Sequence, residues 1–264
     1  MNYFIEGLQG SGKSTLAGRI VREDAGLTAY REGDYSPVEL AWCAYVTPGQ
    51  YREILERYPQ LAEEIETKTA AEEGRRIIRY TQILTDVPGF HRDLERYEIY
   101  NGRWSREDFE EVVLKRFGRW SGDGGVFECS MFQNIVENQI LFYSMTDEEI
   151  VEFYRRLKQV LGDRAYRIIY LEVGDIEKSI TAIRKERVDE HGNELWFPLM
   201  LWYLENSPRG QADGLTGMEG LVKHLDHRQR LEKRILAEVF SENAVIVKAK
   251  EYELQEVMGR VEGQ

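Results

Sequence analysis

The 264-residue chain is poor in cysteine, in positive charge and in long apolar segments. Its two cysteines, Cys43 and Cys129, lie far apart, which indicates neither a disulfide framework nor a zinc site. Lysine and arginine number 35 against 47 aspartates and glutamates, so the net charge is −12. This acidic balance argues against a nucleic-acid partner, because basic surfaces neutralise phosphate backbones. A small anionic substrate is still compatible with a local basic cleft.

No apolar run approaches the ~20 residues that span a bilayer, so we expect no membrane partner. The first predicted strand begins at Tyr3, which leaves no room for a signal peptide before it. We therefore expect a soluble, cytoplasmic protein. Its composition, 42% hydrophobic and 31% charged, is ordinary for a globular enzyme.

The most informative stretch follows a short predicted strand, Tyr3 to Glu6, and opens a predicted helix. Here a glycine and four further residues precede Gly-Lys-Ser, which is the phosphate-binding pattern. The glycines let the backbone curl around an anion, and the helix offers its positive end. We expect Lys13 to face the β- and γ-phosphates and Ser14 to hold Mg²⁺. The predicted nucleotide-binding residues are Gly7, Gly10, Ser11, Gly12, Lys13, Ser14 and Thr15.

The alternation of apolar and helical patterns predicts the fold class. Five segments read as strands, near residues 3, 28, 126, 168 and 245. The expected fold is α/β, a doubly wound five-stranded parallel sheet of the P-loop NTPase type with a helical insertion and a helical lid. We expect one domain over 1–264, with the insertion at 48–120 and the lid region at 175–206.

Residues 48–120 have a helical pattern with little strand character, and they are too long for a simple crossover. We interpret this segment as an insertion that holds the second substrate. Within it, Arg79 and Gln82 have two open interpretations, either recognition of a polar acceptor or a packing or surface role.

Other local patterns predict where helices and loops begin. A side chain that accepts free backbone N–H groups is expected at four helix starts: Ser105, Ser130 with Gln133, Thr146 with Glu149, and Asp175. Residues 207–220, with several glycines and a proline, are predicted to be a loop. The run from Leu195 to Tyr203 contains only apolar, aromatic and proline residues. We expect it to be core, with a subunit interface of a homodimer or a substrate wall as alternatives.

Acidic residues follow two of the predicted strands. Glu32 and Asp34 lie in the loop after the second strand, and Glu128 ends the third. Ligands of open parallel sheets bind beyond the carboxyl ends of the strands, so we place these acids on the functional edge. In phosphoryl transfer to a hydroxyl, such an acid orients or deprotonates the acceptor. An acidic turn with a helix cap is the structural alternative for Glu32 and Asp34.

Two arginines and two missing motifs reduce the number of protein classes that fit the phosphate-binding loop. Arg184 and Arg187 are three residues apart in a predicted helix, which places them on one face, suited to closing over a γ-phosphate. A solvated basic turn is the alternative. The Asn-Lys-x-Asp stretch of GTPases and the apolar-then-acidic pair of mechanical ATPases are both missing. A small-molecule kinase is the class that remains.

In this order, the motifs resemble the P-loop kinases of nucleosides and nucleotides, most closely the deoxynucleoside kinase and thymidylate kinase groups. In the former group, the loop after the second strand contains a glutamate and a tryptophan follows, as with Glu32 and Trp42 here. The third strand of that family ends Glu-Arg-Ser, where this chain has Glu128-Cys129-Ser130. The arginine of the family is thus a cysteine here, which removes a cation from the acceptor end.

Later parts of the family pattern also have counterparts. An Ile-Tyr-Leu strand, a capped helix and an arginine-bearing lid are matched by Ile169 to Leu171, by Asp175 and by the arginine pair. The resemblance covers the core in order and leaves residues 48–120 and 190–240 unmatched.

The resemblance implies a kinase that uses ATP and Mg²⁺. It makes Glu32 or Asp34 the candidate general base and places Glu128, with Ser14, close to the metal or the acceptor hydroxyl. The catalytic residues expected in this sequence are Lys13, Glu32, Asp34, Glu128, Arg184 and Arg187.

We therefore expect an ATP- and Mg²⁺-dependent phosphotransferase acting on a small hydroxylated or phosphorylated metabolite, foremost a nucleoside or nucleotide. The alternatives are a kinase of a non-nucleoside metabolite or antibiotic, and a nucleotide-binding regulatory ATPase.

Overall fold

The structure is a computed structural model that describes residues 1–263. The chain forms two compact units, one made of residues 1–29 with those from Ser121 onward, the other of Tyr30–Trp120. The strands, in chain order, are β1 (Asn2–Gly7), β2 (Thr28–Tyr30), β3 (Ala44–Val46), β4 (Thr69–Glu72), β5 (Arg75–Ile78), β6 (Gly125–Glu128), β7 (Tyr166–Glu172) and β8 (Ala244–Lys248).

Helices make up most of the remaining chain. They are α1 (Lys13–Glu23), α2 (Pro48–Arg57), α3 (Ala62–Thr67), α4 (Phe90–Glu95), α5 (Arg106–Arg119), α6 (Gln133–Leu141), α7 (Asp147–Leu161), α8 (Ile176–Glu186), α9 (Trp196–Asn206), α10 (Pro208–Asp213), α11 (Gly217–Val239) and α12 (Leu254–Glu262). Within residues 1–263, no helix combines the length and the apolar character needed to cross a membrane.

A five-stranded parallel sheet, in the order β2-β6-β1-β7-β8, organises the first unit. All six residues of the central strand β1 are buried. In its register, Ile5 lies beside Glu128 of β6, and Glu6 lies beside Tyr170 of β7. The five strand positions expected from the sequence are confirmed. Because the strands are parallel, the ends of β1, β6 and β7 meet at one edge of the sheet.

Apolar cores cover both faces of this sheet. On one face, Ile5 of β1 packs in a cluster with Leu16 of α1 and Val257 of α12. On the other face, Phe4 stacks on Phe127 of β6, with ring centroids 5.0 Å apart. Successive residues of a strand point to opposite faces, and here each face has its own helical layer. This is the expected doubly wound α/β arrangement.

An aromatic cluster forms the second face. It is extended by Phe132, which precedes α6, by Tyr154 of α7 and by Phe240, which follows α11. Aromatic side chains bury large areas in edge-to-face arrangements, so they hold these three helices on the sheet.

The second unit contains a small antiparallel sheet in the order β3-β5-β4. Its core, which includes Val46, Ile78 and Phe90, is formed by the sheet with residues of α2, α3 and α4. The expectation that residues 48–120 are helical is therefore wrong at β4 and β5. These strands form a hairpin closed by Glu73 and Gly74, both with positive φ, 25° and 77°. Such a turn matches the twist of antiparallel strands.

Three of the four predicted helix starts are confirmed. Side-chain oxygens of Ser105, Thr146 and Asp175 accept backbone N–H groups at the starts of α5, α7 and α8. The prediction for Ser130 is wrong, because α6 begins at Gln133 and the Ser130 hydroxyl donates to the Glu128 carbonyl at 3.2 Å.

The buried carboxylate of Glu6 replaces Ser130 at this helix. It accepts the N–H groups of Met131 at 2.7 Å and Phe132 at 3.2 Å. The Glu6 side chain of β1 thus provides hydrogen-bond acceptors for the backbone N–H groups that lead into α6.

The predicted loop at 207–220 is mostly helical, with α10 and the start of α11. Ser207 caps α10 by accepting the Gly210 N–H at 2.9 Å. Gly210 is required for packing, since a Cβ there would lie 1.8 Å from the Leu204 carbonyl oxygen. A glycine read as a sign of flexibility instead permits close approach of two backbones.

We predict that Thr146→Ala destabilises the protein by about 1 kcal/mol, because it removes one half of the capping box with Glu149. Thr181→Ala is the matched control, since Thr181 is exposed and its hydroxyl only donates within its own helix. Urea unfolding followed by circular dichroism gives both values. Equal free energies of unfolding for the two variants would contradict the prediction.

Candidate functional site

The glycine-rich loop, residues Gly7 to Thr15, connects β1 to α1 at the edge where the parallel strands end. Gly10 and Gly12 have φ values of 74° and 99°, a region that favours glycine. A Cβ at Gly10 would also lie 2.3 Å from Cδ1 of Ile183. Helix α8 therefore packs directly on the loop, and Gly10 is needed for both reasons.

Lys13 is buried, and its side chain folds back across the loop. Its Nζ donates to the carbonyl oxygens of Gly7 at 2.9 Å and Leu8 at 2.8 Å. These carbonyls are neutral partners, whereas an anion would add a charge–charge attraction to the ammonium group. The arrangement keeps the Lys13 ammonium group at the loop, where it can meet an anion.

The start of α1 is suited to an anion. Gly12 is its N-cap, and across residues 1–263 no side chain caps this helix. The first backbone N–H groups of a helix lack intrahelical partners, and the helix dipole adds positive potential there. The Ser11 hydroxyl is also buried, with no hydrogen-bond partner in the described chain. Together these donors form a cradle for an oxyanion such as phosphate.

The Ser14 hydroxyl donates to Oε1 of Glu128, which ends β6. Both groups supply the oxygen ligands that Mg²⁺ prefers, and Mg²⁺ commonly takes only one or two protein carboxylates. No cluster of three or more histidine, cysteine or acidic side chains suited to a metal occurs within residues 1–263. One hydroxyl and one carboxylate would leave the other ligand positions of such an ion to substrate oxygens and water.

Cys129, where the resembled family has arginine, is buried directly after β6 with a φ of 59°. Its N–H donates to the Ile5 carbonyl at 3.2 Å, which extends the pairing of β6 with β1. This position therefore presents a small buried side chain and no cation.

Two ionisable groups beside the loop were missed by sequence reasoning. Burial raises the pKa of Glu6 to about 8, despite its two backbone donors and the charge of Lys13. The position of this acid at the end of an apolar strand was the sequence signal that could have indicated its burial. Arg228 of α11 is fully buried and donates to Oε1 of Gln9 at 2.9 Å. Gln9 and Arg228 are too far apart in the sequence for a local pattern to indicate this contact.

Only Arg184 of the predicted arginine pair lies inside a helix. Helix α8 ends at Glu186, and Arg187 is its C-cap with a non-helical backbone. Nε of Arg184 lies 3.0 Å from both carboxylate oxygens of Glu194, and its guanidinium lies 4.1 Å from the Phe197 ring centroid. The Arg187 guanidinium lies 5.8 Å from the Trp196 ring centroid. Each arginine therefore has its own partner from the start of α9.

The interpretation of residues 195–203 as core is wrong. Trp196 is buried, but Leu195 and Leu199 are exposed, and Trp202 is 57% exposed. These three exposed side chains recur at the spacing of one helical face. The subunit-interface and substrate-wall interpretations remain for this segment.

Glu32 and Asp34 belong to the second unit, in a turn directly after β2. Asp34 closes this turn, since its carboxylate accepts the Arg31 N–H at 3.0 Å and the Gln82 amide at 2.8 Å. Glu32 is exposed. Gln82 also donates to the Gly33 carbonyl at 3.1 Å, so it organises the turn.

Arg79 and Trp42 have backbone contacts within the same unit. The Arg79 guanidinium donates to the carbonyls of Lys68 and Thr67, each at 3.2 Å. Trp42 has a φ of 62°, and its carbonyl accepts the Thr81 hydroxyl at 3.3 Å. These contacts give Arg79 a packing role in the unit.

Glu39, also missed from the sequence, is a buried acid of the second unit. The Tyr100 hydroxyl and the Ala41 N–H donate to it, each at 2.6 Å. Burial nevertheless raises its pKa to about 8. An acid between Val38 and Leu40 was a signal of burial, although not of a role.

A scan against protein-family models and a search of curated proteins found no match to this chain.

We predict that Glu39→Gln flattens the pH dependence of stability. The folded-state pKa of about 8 is above the ordinary 4.5, so the stability linked to Glu39 is complete below about pH 4.5 and is lost as pH rises through about 8. Glutamine keeps an acceptor for Tyr100 and does not titrate.

Melting temperatures between about pH 5 and pH 9 test this prediction, with Glu66→Gln, an exposed carboxyl of the same unit, as control. The wild type should lose stability relative to Glu39→Gln as pH rises. If the melting temperatures of the wild type and of Glu39→Gln changed in parallel with pH, Glu39 would not titrate as described.

Proposed function

We propose that the protein is an ATP- and Mg²⁺-dependent phosphotransferase of the P-loop NTPase fold, acting on a small hydroxylated or phosphorylated metabolite, foremost a nucleoside or nucleotide. The observation that carries this proposal is the convergence of Lys13, Ser14, Glu128 and the uncapped start of α1 at the exit of the central strand. A lysine, a metal-binding hydroxyl and an acid are the parts that phosphoryl transfer from ATP uses.

In this proposal, Lys13 and the loop bind the phosphates of ATP. The Lys13 ammonium exchanges its two carbonyl partners for phosphate oxygens, while Ser11 and the first N–H groups of α1 supply further donors. The proposed nucleotide-binding residues are Gly7, Gly10, Ser11, Gly12, Lys13, Ser14 and Thr15.

Ser14 and Glu128 would hold Mg²⁺, which when bound neutralises charge on the phosphates. The carboxylate of Glu128 orients the Ser14 hydroxyl by accepting its hydrogen bond. This hydrogen bond thus holds the Ser14 and Glu128 side chains next to each other.

We propose that residues 48–120 hold the acceptor. Glu32 and Asp34 are the two candidate bases, and either would orient or deprotonate the acceptor hydroxyl.

Residues 175–206 are proposed to act as the lid. Arg184 is next to Ile183, the residue that packs on Gly10, and it is paired with Glu194. A γ-phosphate would compete with the Glu194 carboxylate for the same guanidinium. Arg187, the C-cap of the same helix, is proposed to close over the phosphate with Arg184.

We predict that Lys13→Met weakens binding of magnesium-ATP by at least about 10-fold, because a hydrogen bond to a charged group contributes about 1.5–3 kcal/mol. Methionine retains the buried stem and removes only the ammonium. Lys178→Met is the control, with a side chain that is 86% exposed. Titration calorimetry measures the affinities, and unchanged binding by Lys13→Met would refute the proposed site.

We predict that a correct acceptor stimulates ADP release and that Arg184→Ala lowers the stimulated kcat by about 10-fold or more. A panel of nucleosides, nucleotides, other hydroxylated metabolites and aminoglycoside antibiotics identifies the acceptor class. Lys185→Ala, on the same helix, is the control. Steady hydrolysis that no acceptor stimulates and that Arg184→Ala leaves unaltered would instead indicate a regulatory ATPase.

A further inference from the structure

Arg228 is a fully buried cation that joins the glycine-rich loop to the helices behind it. Its Nη2 donates to Oε1 of Gln9 at 2.9 Å, and its Nη1 donates to Oε2 of Glu137 on α6 at 2.5 Å. Its Nε lies 3.1 Å from Oε1 of Glu232 on the same helix. The planar guanidinium thus makes two hydrogen bonds and one ion pair in a fixed geometry, which the flexible point charge of a lysine would not reproduce.

The two acids already compensate the charge of Arg228. Burial acts to raise the pKa of Glu137, but Arg228 and His224, whose Nε2 is 3.2 Å from the same oxygen, hold it at about 2. Burial acts to lower the pKa of Arg228, but the two carboxylates raise it. Buried charges are tolerated when paired in this way. The neutral amide of Gln9 is therefore not needed for neutralisation.

The rest of the network is fixed independently of the loop. Oε2 of Glu232 accepts the Tyr170 hydroxyl of β7 at 2.6 Å, and Glu137 lies on α6, whose start is tied to β1 through Glu6. Arg228 is thus held by α6, α11 and β7, and its bond to Gln9 fastens a half-buried loop residue to this frame. The bond joins residues 219 positions apart.

We infer that Arg228 is a positioning residue of the glycine-rich loop: by holding Gln9, it keeps the loop in the anion-binding conformation without touching the ligand. This inference rests on the proposed function. A loop ordered before the ligand arrives binds more tightly, because less conformational freedom is lost on binding. The tether thus contributes to ATP affinity through the free state of the protein.

Gln9→Ala is the most direct test, because it removes the loop's end of the bond and leaves Arg228 with both acids. We expect amide hydrogen exchange in peptides covering residues 7–15 of the ligand-free protein to accelerate about 5-fold or more, with β7 and α11 unchanged. We expect magnesium-ATP to bind about 10-fold more weakly. The melting temperature should fall by about 2–6 °C at most, because Nη2 loses one acceptor while Arg228 keeps both acids.

Three further variants separate positioning from a general structural role. Gln9→Glu keeps an acceptor for Arg228, so it should restore slow exchange in the loop. Arg228→Lys should accelerate loop exchange in the wild-type background and add nothing to Gln9→Ala. Arg230→Met is the control on the same helix, because Arg230 is 71% exposed and pairs only with Asp226 among the described residues.

Wild-type loop exchange in Gln9→Ala would overturn the inference, whether or not ATP binds. Weakened ATP binding with unchanged exchange would also overturn it, because Gln9 would then act by contact with the ligand. If the wild type binds no magnesium-ATP while Gln9→Ala still loosens the loop, the proposed function fails and Arg228 is retained as the residue that orders the loop. Should Arg228→Lys fail to fold, the two Gln9 variants decide the question.

Discussion

The confinement of β1 is the constraint on which the first unit depends. Its six residues are buried, with parallel partners on both edges and an apolar cluster on each face. A shift in register by one residue would exchange its two faces and move Glu6 into the opposite core. The place where the strand ends is therefore fixed, and so is the start of the loop that follows.

This fixed exit explains how distant residues meet at the candidate site. The pairing of Ile5 with Glu128 brings the end of β6 beside the end of β1, and the Ser14 hydroxyl is then within reach of the carboxylate. Beneath the loop, Glu6 satisfies the backbone that leads into α6, which carries Glu137. Backbone pairing and buried charge thus act on the same few residues.

The sequence was informative wherever a feature depends on neighbouring residues. Five strands, the caps at Ser105, Thr146 and Asp175, and the meeting of Ser14 with Glu128 follow from local pattern and from the rule for parallel strand ends. Features that depend on distant partners were missed or wrong. The hairpin of β4 and β5 has short strands without an alternating apolar pattern, so their pairing defines them, and the sequence resembled helix.

The arginines illustrate the same limit. Arg187 is the C-cap of α8 and not an internal residue, and the ring that it contacts comes from the start of α9. Arg228 is buried by partners on the loop, on α6 and on its own helix, whereas charged residues are almost never fully buried unless paired. A basic helix gives no indication of which of its arginines points inward.

The burial of both cysteines has a practical consequence for spectroscopy. Cys43 and Cys129 are free thiols inside their units, and burial raises the pKa of the Cys43 thiol. Since the thiolate is the reactive species, the native protein should be nearly inert to maleimide and iodoacetamide reagents. A single cysteine introduced at an exposed position can therefore carry a fluorophore or spin label without removal of the native pair. Distances between two such labels, one on each unit, would then report on the protein in solution.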